Sequence, residues 1–89
     1  ELMNTFHLII ASPDGNIYDG DAYMLSLRGA AGNLAVMANH TPFVTSVKPC
    51  KDKIVFGDGT ERNFSVDGGI LTVGDNAATL LASSFKWEN

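Results

Sequence analysis

The chain has 89 residues, of which 45% are hydrophobic and 18% are charged, and its formal net charge is −4. This length accommodates one domain with one modest core and excludes a second domain, and the composition is that of a folded domain rather than a disordered chain. The acidic balance argues against a nucleic-acid partner, because phosphate binding depends on clustered Lys and Arg. Cys50 is the only cysteine, so an internal disulfide is excluded.

Turn signals rich in Gly, Pro, Asn and Asp recur at short intervals and leave no segment long enough for a typical helix. The runs between them are rich in β-branched, aromatic and aliphatic residues, which favour strands. The predicted strands are residues 6–11, 17–19, 21–28, 34–37, 43–47, 53–56, 61–67, 70–73 and 77–83. We therefore expect an all-β fold, an antiparallel β-sandwich or flattened barrel of about nine to ten short strands.

The turns between these strands carry more specific signals. Asp58-Gly59 predicts a tight two-residue hairpin connection, and residues 74–76 predict a second tight turn. Gly68-Gly69 at a strand junction predicts a bulge or a close approach of another part of the chain. Residues 19–21, Asp-Gly-Asp, are interpreted as a turn, because a calcium loop needs further oxygen ligands at fixed spacing.

Several strands carry aliphatic side chains on both faces. Ile70 alternates with Leu71, and Leu80 alternates with Leu81, so that one member of each pair points away from a single core. A second apolar face predicts a docking surface. The pattern fits equally well with the mixed edges of a small sandwich, and both interpretations stay open.

No catalytic, cofactor or metal site is expected. His7 and His40 lack the spacing of zinc ligands, and we place His7 on the wetter face of a strand. Residues 29–32, Gly-Ala-Ala-Gly, lack the Lys and Ser or Thr of a phosphate-binding loop. No serine has the context of a nucleophile elbow. The chain has no apolar run of the roughly 20 residues that span a bilayer and no signal peptide, so membrane contact is expected only through a partner.

The stretch from Gly29 to Pro49 carries a resemblance to a known family. It reads Gly-x-x-Gly-x-Leu-x-Val, followed by Asn-His-Thr-Pro-Phe-Val-Thr and Val-Lys-Pro. Two further stretches, 6–20 and 64–82, fit the same family in the right order. Together they resemble the N-terminal domain of the epsilon subunit of F-type ATP synthases over nearly everything from Phe6 to Ser83.

The resemblance implies a β-sandwich at the foot of the rotating central stalk, with one face on the gamma subunit and loops toward the c-ring. Such a subunit is non-catalytic and couples proton or sodium ion flow to ATP synthesis. It is peripheral, on the cytoplasmic side of the cell membrane or the equivalent side of another energy-transducing membrane. By resemblance, the residues that face the c-ring are Gly29, Gly32, Asn33, Asn39, His40 and Pro42.

Three residues depart from the family pattern. Asn33 stands where the family often has Glu, and Asn39 stands where it has Gly, although Asn tolerates the left-handed conformation. Cys50 stands where Gly is usual, which suggests a local difference in that turn. The family continues into an α-helical hairpin that binds ATP in some members and inhibits hydrolysis in others, and neither activity is assigned to this chain.

The domain organisation is interpreted as an N-terminal extension, 1–5, a sandwich domain, 6–84, and a C-terminal tail, 85–89. Glu1 and Leu2 precede Met3 and are interpreted as a possible cloning remnant. Trp87 is expected either to cover apolar surface or to belong to a loosely packed tail.

Two other functions remain as alternatives. A generic β-sandwich module for peptide or carbohydrate recognition predicts a concave pocket lined by Tyr18, Tyr23 and Trp87. A hydrolase predicts a serine beside His40 in a cleft. For His40 itself, stabilisation of the turn and contact with the c-ring are both open, and Lys48, Lys51 and Lys53 form either a solvated basic spot or a contact with an acidic partner.

Overall fold

The computed structural model describes residues 4–88, which form ten strands and no helix. The interpretation of Glu1 and Leu2 therefore lies outside the described residues. The strands are β1 (Phe6–Ser12), β2 (Gly15–Ala22), β3 (Met24–Gly29), β4 (Gly32–Met37), β5 (Phe43–Val47), β6 (Cys50–Val55), β7 (Glu61–Val66), β8 (Gly69–Gly74), β9 (Ala77–Ala82) and β10 (Phe85–Glu88). The predicted all-β fold is confirmed.

The strands form one sheet that curls into two layers. The order is β10-β7-β6-β3-β5-β8-β9-β1-β2, and β4 pairs with β3 outside this path. β3 meets β5 at the single residue pair Gly29 and Val47, which marks the junction between the layers. The first layer is therefore β4-β3-β6-β7-β10, and the second is β5-β8-β9-β1-β2. All pairings are antiparallel except that of β1 with β9.

Alternating side chains of both layers form one core. In β1 the burial alternates, with Leu8 and Ile10 fully buried and His7 exposed, as a strand with one covered face requires. The largest fully buried side chains come from both layers: Phe6, Leu8, Ile10, Leu25, Leu27, Val36, Ile54, Phe64, Leu71 and Leu80. No charged or polar residue of the described region is buried, so the core is held by apolar packing alone.

The interpretation of residues 19–21 as a turn is wrong, because all three lie within β2. Gly20 is needed there for a different reason. A Cβ atom at Gly20 would lie 2.9 Å from the Tyr18 hydroxyl oxygen, since the Tyr18 ring folds over this glycine and its hydroxyl donates to the Asp21 carbonyl at 2.7 Å. The chain changes strand at Tyr23 instead, between β2 and β3.

Two predicted hairpin turns have different outcomes. The prediction of a two-residue connection at Asp58-Gly59 is wrong. Phe56 N donates to the Thr60 carbonyl across a three-residue loop, and within this loop only Gly59 has a positive φ, of 89°. Three-residue loops of this kind use one left-handed residue. The second tight turn is confirmed, because Asp75 and Asn76 both have positive φ angles, of 53° and 55°, between β8 and β9.

Residues 85–88 belong to the sheet and not to a tail. β10 pairs along β7, and Phe85 stacks on the buried Phe64 with ring centroids 5.2 Å apart. Trp87 lies under the Arg62 guanidinium, 4.1 Å from its ring centroid. Phe85 and Trp87 thus extend the edge of the core. Trp87 covers apolar surface, which was the first of the two expectations for this residue.

Candidate docking surfaces

The six residues predicted to face one partner lie at the two opposite ends of β4. Gly29, Gly32 and Asn33 belong to the hairpin between β3 and β4, whereas the turn at 38–42 follows the other end of the strand. A strand rises about 3.3 Å per residue, which separates the ends of β4 by about 17 Å. The structure therefore resolves the predicted loop surface into two separate sites, called here the hairpin end and the His40 end.

At the hairpin end, Ala30 and Ala31 form an exposed turn and Gly32 supplies a φ of 123°. Arg28 Nε donates to Asn33 Oδ1 at 3.3 Å, which leaves the remaining guanidinium N–H groups and the Asn33 amide N–H₂ as donors toward solvent. Gly29 is buried, and a Cβ atom there would lie 2.6 Å from Leu34 Cδ2. Gly29 is thus a packing residue, while Asn33 is exposed.

At the His40 end, Asn39 adopts the left-handed conformation with a φ of 62°, as its replacement of Gly predicts. The turn closes through His40 N, which donates to the Met37 carbonyl at 3.2 Å. Asn39 N donates to the side-chain oxygen of Asn76 at 2.8 Å. This hydrogen bond joins the turn to the connection between β8 and β9.

Asn76 holds three segments together at this end. Besides accepting from Asn39, its side-chain amide donates to the Thr5 carbonyl at 3.1 Å, and its own carbonyl accepts from His7 N at 3.1 Å. The sequence signal identified Asn76 only as a turn residue. Its partners are distant in sequence, so no local pattern could have predicted its bridging role.

His40 is exposed and directed to its own turn. Its Nδ1 lies 2.8 Å from the Thr41 carbonyl, to which it donates, and its ring packs against Phe43 at a centroid distance of 5.0 Å. The pyrrolidine ring of Pro42 lies next to Gly74. The contacts of His40 are with Thr41 and Phe43 and not with a serine, so the hydrolase interpretation gains no support.

A third surface lies on the outer face of the second layer. Its exposed or half-buried apolar residues are Val44, Ile70, Leu81, Ile9 and Ala11, and these five define the docking face. Ile70 and Leu81 are direct cross-strand partners, and Leu81 also pairs with Ala11. Val44, Ile70 and Leu81 are 67%, 51% and 54% exposed. The predicted second apolar face is therefore present.

The docking face is free of charge over three adjacent strands. β5, β8 and β9 carry no Asp, Glu, Lys or Arg. The face is bordered on β1 and β2 by the pair His7 Nε2 and Asp19 Oδ1, 2.7 Å apart and half exposed, which confirms the wet position of His7. Depletion of charge around exposed aliphatic residues is typical of the centre of a protein interface.

Gly69 makes the close packing under this face possible. A Cβ atom at Gly69 would collide with the backbone carbonyl oxygen of Leu81. The predicted close approach at Gly68-Gly69 is confirmed at Gly69. Beside it, Ile70 and Leu81 border a shallow pocket together with Pro13 and Ser83, into which a partner could insert one apolar side chain.

Tyr18 and Trp87 meet at the opposite seam of the sandwich, between β2 and β10. Their rings pack edge to face at a centroid distance of 6.4 Å, and Tyr18 also packs on Phe56. Burial, and then the charges of Asp21 and Asp19, raise the pKa of the Tyr18 hydroxyl. The two rings pack against each other and do not line a pocket, so the interpretation as a peptide- or carbohydrate-recognition module also gains no support.

Cys50 and the lysines have ordinary structural positions. Cys50 is the half-buried first residue of β6, and the turn before it is formed by Lys48 and Pro49. Lys53 Nζ lies 3.5 Å from the Glu61 carboxylate. Within residues 4–88, no three His, Cys, Asp or Glu side chains are grouped closely enough to hold a metal ion. The same residues contain no helix that is both long and apolar enough to cross a membrane.

Comparison with known proteins identifies the family of this domain. Residues 5–88 match the family described as "ATP synthase, Delta/Epsilon chain, beta-sandwich domain". The chain is 38% identical over 82 residues to the ATP synthase epsilon chain of Delftia acidovorans, covering 92% of this chain and 59% of that protein. It is 34% identical over 86 residues to the sodium ion specific ATP synthase epsilon chain of Acetobacterium woodii, covering 97% and 65%. The chain thus spans about three fifths of the length of these relatives.

Two solved structures have the same fold. A chain of the Euglena gracilis mitochondrial ATP synthase, in a complex of OSCP, F1 and c-ring, superposes with a TM-score of 0.88 at 17% identity, covering 98% of this chain and 56% of that one. A chain of the Tetrahymena thermophila central stalk and c-ring superposes with a TM-score of 0.79 at 14% identity, covering 96% and 68%. The match over residues 5–88 and these curated relatives show that the chain belongs to the family of the ATP synthase delta/epsilon chain β-sandwich domain.

Proposed function

We propose that this domain is part of a non-catalytic rotor subunit in the central stalk of an F-type ATP synthase, where it couples ion translocation to ATP synthesis. The observation that carries the proposal is the charge-free docking face on a domain of this family. A rotor subunit must bind its neighbours firmly enough to turn with them. An apolar face serves this purpose because its burial is favourable and does not require exact charge matching.

The gamma subunit is the partner that we assign to the docking face. Full burial of a Leu or Ile side chain contributes about 1.5–3 kcal/mol, so covering the exposed half of one such side chain contributes about 1 kcal/mol. Ile70, Leu81 and Val44 together then supply a few kcal/mol of favourable free energy. Aliphatic side chains of this size in the centre of an interface can act as anchors. Thr72 and Thr79 lie within the same face, in the cross-strand row between Val44 and Ile9.

The c-ring is the partner that we assign to the hairpin end. Ala30, Ala31 and Asn33 are exposed there, and Arg28 adds a positive charge. At the His40 end, Asn39, His40 and Pro42 are also exposed, and the hydrogen bond from Asn39 N to Asn76 fixes their turn, so these three residues form a second proposed contact with the c-ring. Contact with the membrane is then made only through the complex, on the cytoplasmic or equivalent side.

Two measurements test the proposal. A pull-down with the gamma subunit of the same organism should retain the chain at micromolar concentration, and deletion of its gene should uncouple ion flow from ATP synthesis. If the folded domain shows no association with gamma and the deletion strain stays coupled, the proposal is wrong.

A further inference from the structure

Within residues 4–88, one edge of β4 pairs with no other strand, and the backbone groups along it point away from the sheet. The Arg28 carbonyl accepts a hydrogen bond from Lys48 N on the side of β3 that faces away from β4. The Arg28–Asn33 pair of the β3–β4 ladder is therefore a non-hydrogen-bonded pair. Antiparallel pairs alternate between hydrogen-bonded and non-hydrogen-bonded. The N–H and C=O groups of Asn33 and Ala35 and the N–H of Met37 are therefore directed outward, while Met37 O accepts from His40 N.

This edge lacks the protection that the other sheet edges have. The β2 edge carries Asp19 and Asp21, and the β10 edge carries Lys86 and Glu88. β5 is short, and Ala30 N approaches its free side to donate to Thr45 Oγ1 at 3.3 Å. β4 reads Gly-Asn-Leu-Ala-Val-Met, without charge or proline. Proteins normally guard an open strand edge with charged residues, proline or a covering segment.

We propose that β4 is a strand-addition site, at which an extended, uncharged segment of the protein covering the docking face pairs with Asn33, Ala35 and Met37. The inference rests on the proposed function. β4 and β5 are the edge strands of the two layers beside their junction at Gly29 and Val47, and β5 contributes Val44 to the docking face. Residues 38–42 join β4 directly to β5, and β2 and β10 meet at the other seam of the sandwich, so the β4 edge lies at the seam that β5 borders.

The chemistry of the edge defines the segment that fits. Main-chain hydrogen bonds supply the affinity in strand addition, and the alternate side chains supply the specificity. The side chains on the outer face of β4 are Asn33, Ala35 and Met37, with Met37 39% exposed. A partner strand with a small residue opposite Ala35 and an apolar residue opposite Met37 matches this surface.

Hydrogen–deuterium exchange at single-residue resolution tests the inference on the unaltered chain, free and bound to the gamma subunit. Binding should slow exchange of the Asn33, Ala35 and Met37 amides by about tenfold or more, since each gains a protein hydrogen bond. Leu34 and Val36 already donate to β3 and act as internal controls, with little change. Binding is measured separately by calorimetry, so failure to bind contradicts the proposed function and the inference together. Binding without protection of the three amides overturns the inference alone.

Substitution at the centre of the edge provides a second test. Ala35→Pro removes one outward donor at a position where an edge strand tolerates proline, and it should weaken binding to gamma by at least about fivefold. Ala35→Val keeps the donor and should bind as the original chain does. Equal binding by both folded variants contradicts the inference. Amide protection that grows with the concentration of the free chain would instead assign the edge to a second copy and overturn the proposed occupant.

Discussion

Replacement of Leu81 by Asp should abolish binding to gamma without unfolding the domain. Leu81 is 54% exposed on the charge-free docking face and pairs with Ile70. Removal of the side chain in Leu81→Ala loses about 1 kcal/mol of interface burial, or about fivefold in affinity. Leu81→Asp also places a carboxylate without a partner in an apolar interface, which costs several kcal/mol more. We therefore expect a loss of at least about a hundredfold.

The assay is calorimetric titration of gamma with each variant, and the melting temperature reports the fold. The matched control is Asn63→Asp on β7, which adds the same charge to an exposed strand position in the other layer. An exposed strand residue changed to Asp destabilises by about 1 kcal/mol at most, so both variants should remain folded. Leu81→Asp binding within twofold of Asn63→Asp would refute the assignment of the docking face.

Three further predictions concern the fold that positions these surfaces. Asn76→Ala should destabilise the domain by about 2–3 kcal/mol, because it removes two side-chain hydrogen bonds and places alanine in a left-handed conformation. Asn76→Gly accepts that conformation, so its free energy of unfolding in denaturant titrations should fall by less. Gly69→Ala should destabilise by at least about 2 kcal/mol through its clash with the Leu81 carbonyl. Gly74→Ala is the control, because its Cβ would make only an ordinary contact with Pro42 at 3.6 Å and it should lose less; equal losses would contradict this. Hydrogen bonds from Thr60 lower the pKa of the exposed Asp58 carboxyl from its usual 3.8. The ionised Asp58 therefore stabilises the fold above that pH, and this stabilisation is lost as the pH falls through the lowered pKa of the folded state. Asp58→Asn should flatten the fall in melting temperature at acid pH, and an unchanged fall would contradict the prediction.

Local pattern predicted strands β1 to β9 and the two-faced character of the second layer, but it placed the break between β2 and β3 at Gly20 instead of Tyr23. Ile70 beside Leu71 and Leu80 beside Leu81 predicted one buried and one exposed aliphatic residue in each strand, and the structure has them so. The pattern was insufficient at Phe85, whose short strand follows two serines and contains the charged residues Lys86 and Glu88. Its place depends on pairing with β7 and stacking on Phe64, which are contacts distant in sequence.

The division of the predicted loop surface into two ends was available from the sequence. A strand was predicted at residues 34–37, between Gly32 and His40, and a strand places the turns that flank it at opposite ends. The resemblance assigned all six residues together to the loop that faces the c-ring. The anchoring of Asn39 by Asn76 was not available, because the two residues are brought together only by the whole sheet.

Site-specific photo-crosslinking in the assembled complex tests whether the docking face contacts the gamma subunit. A photoreactive residue at position 70, on the docking face, should crosslink to the gamma subunit, whereas the same residue at position 63, on β7, should not. Crosslinking to gamma from position 63 but not from position 70 would contradict the account.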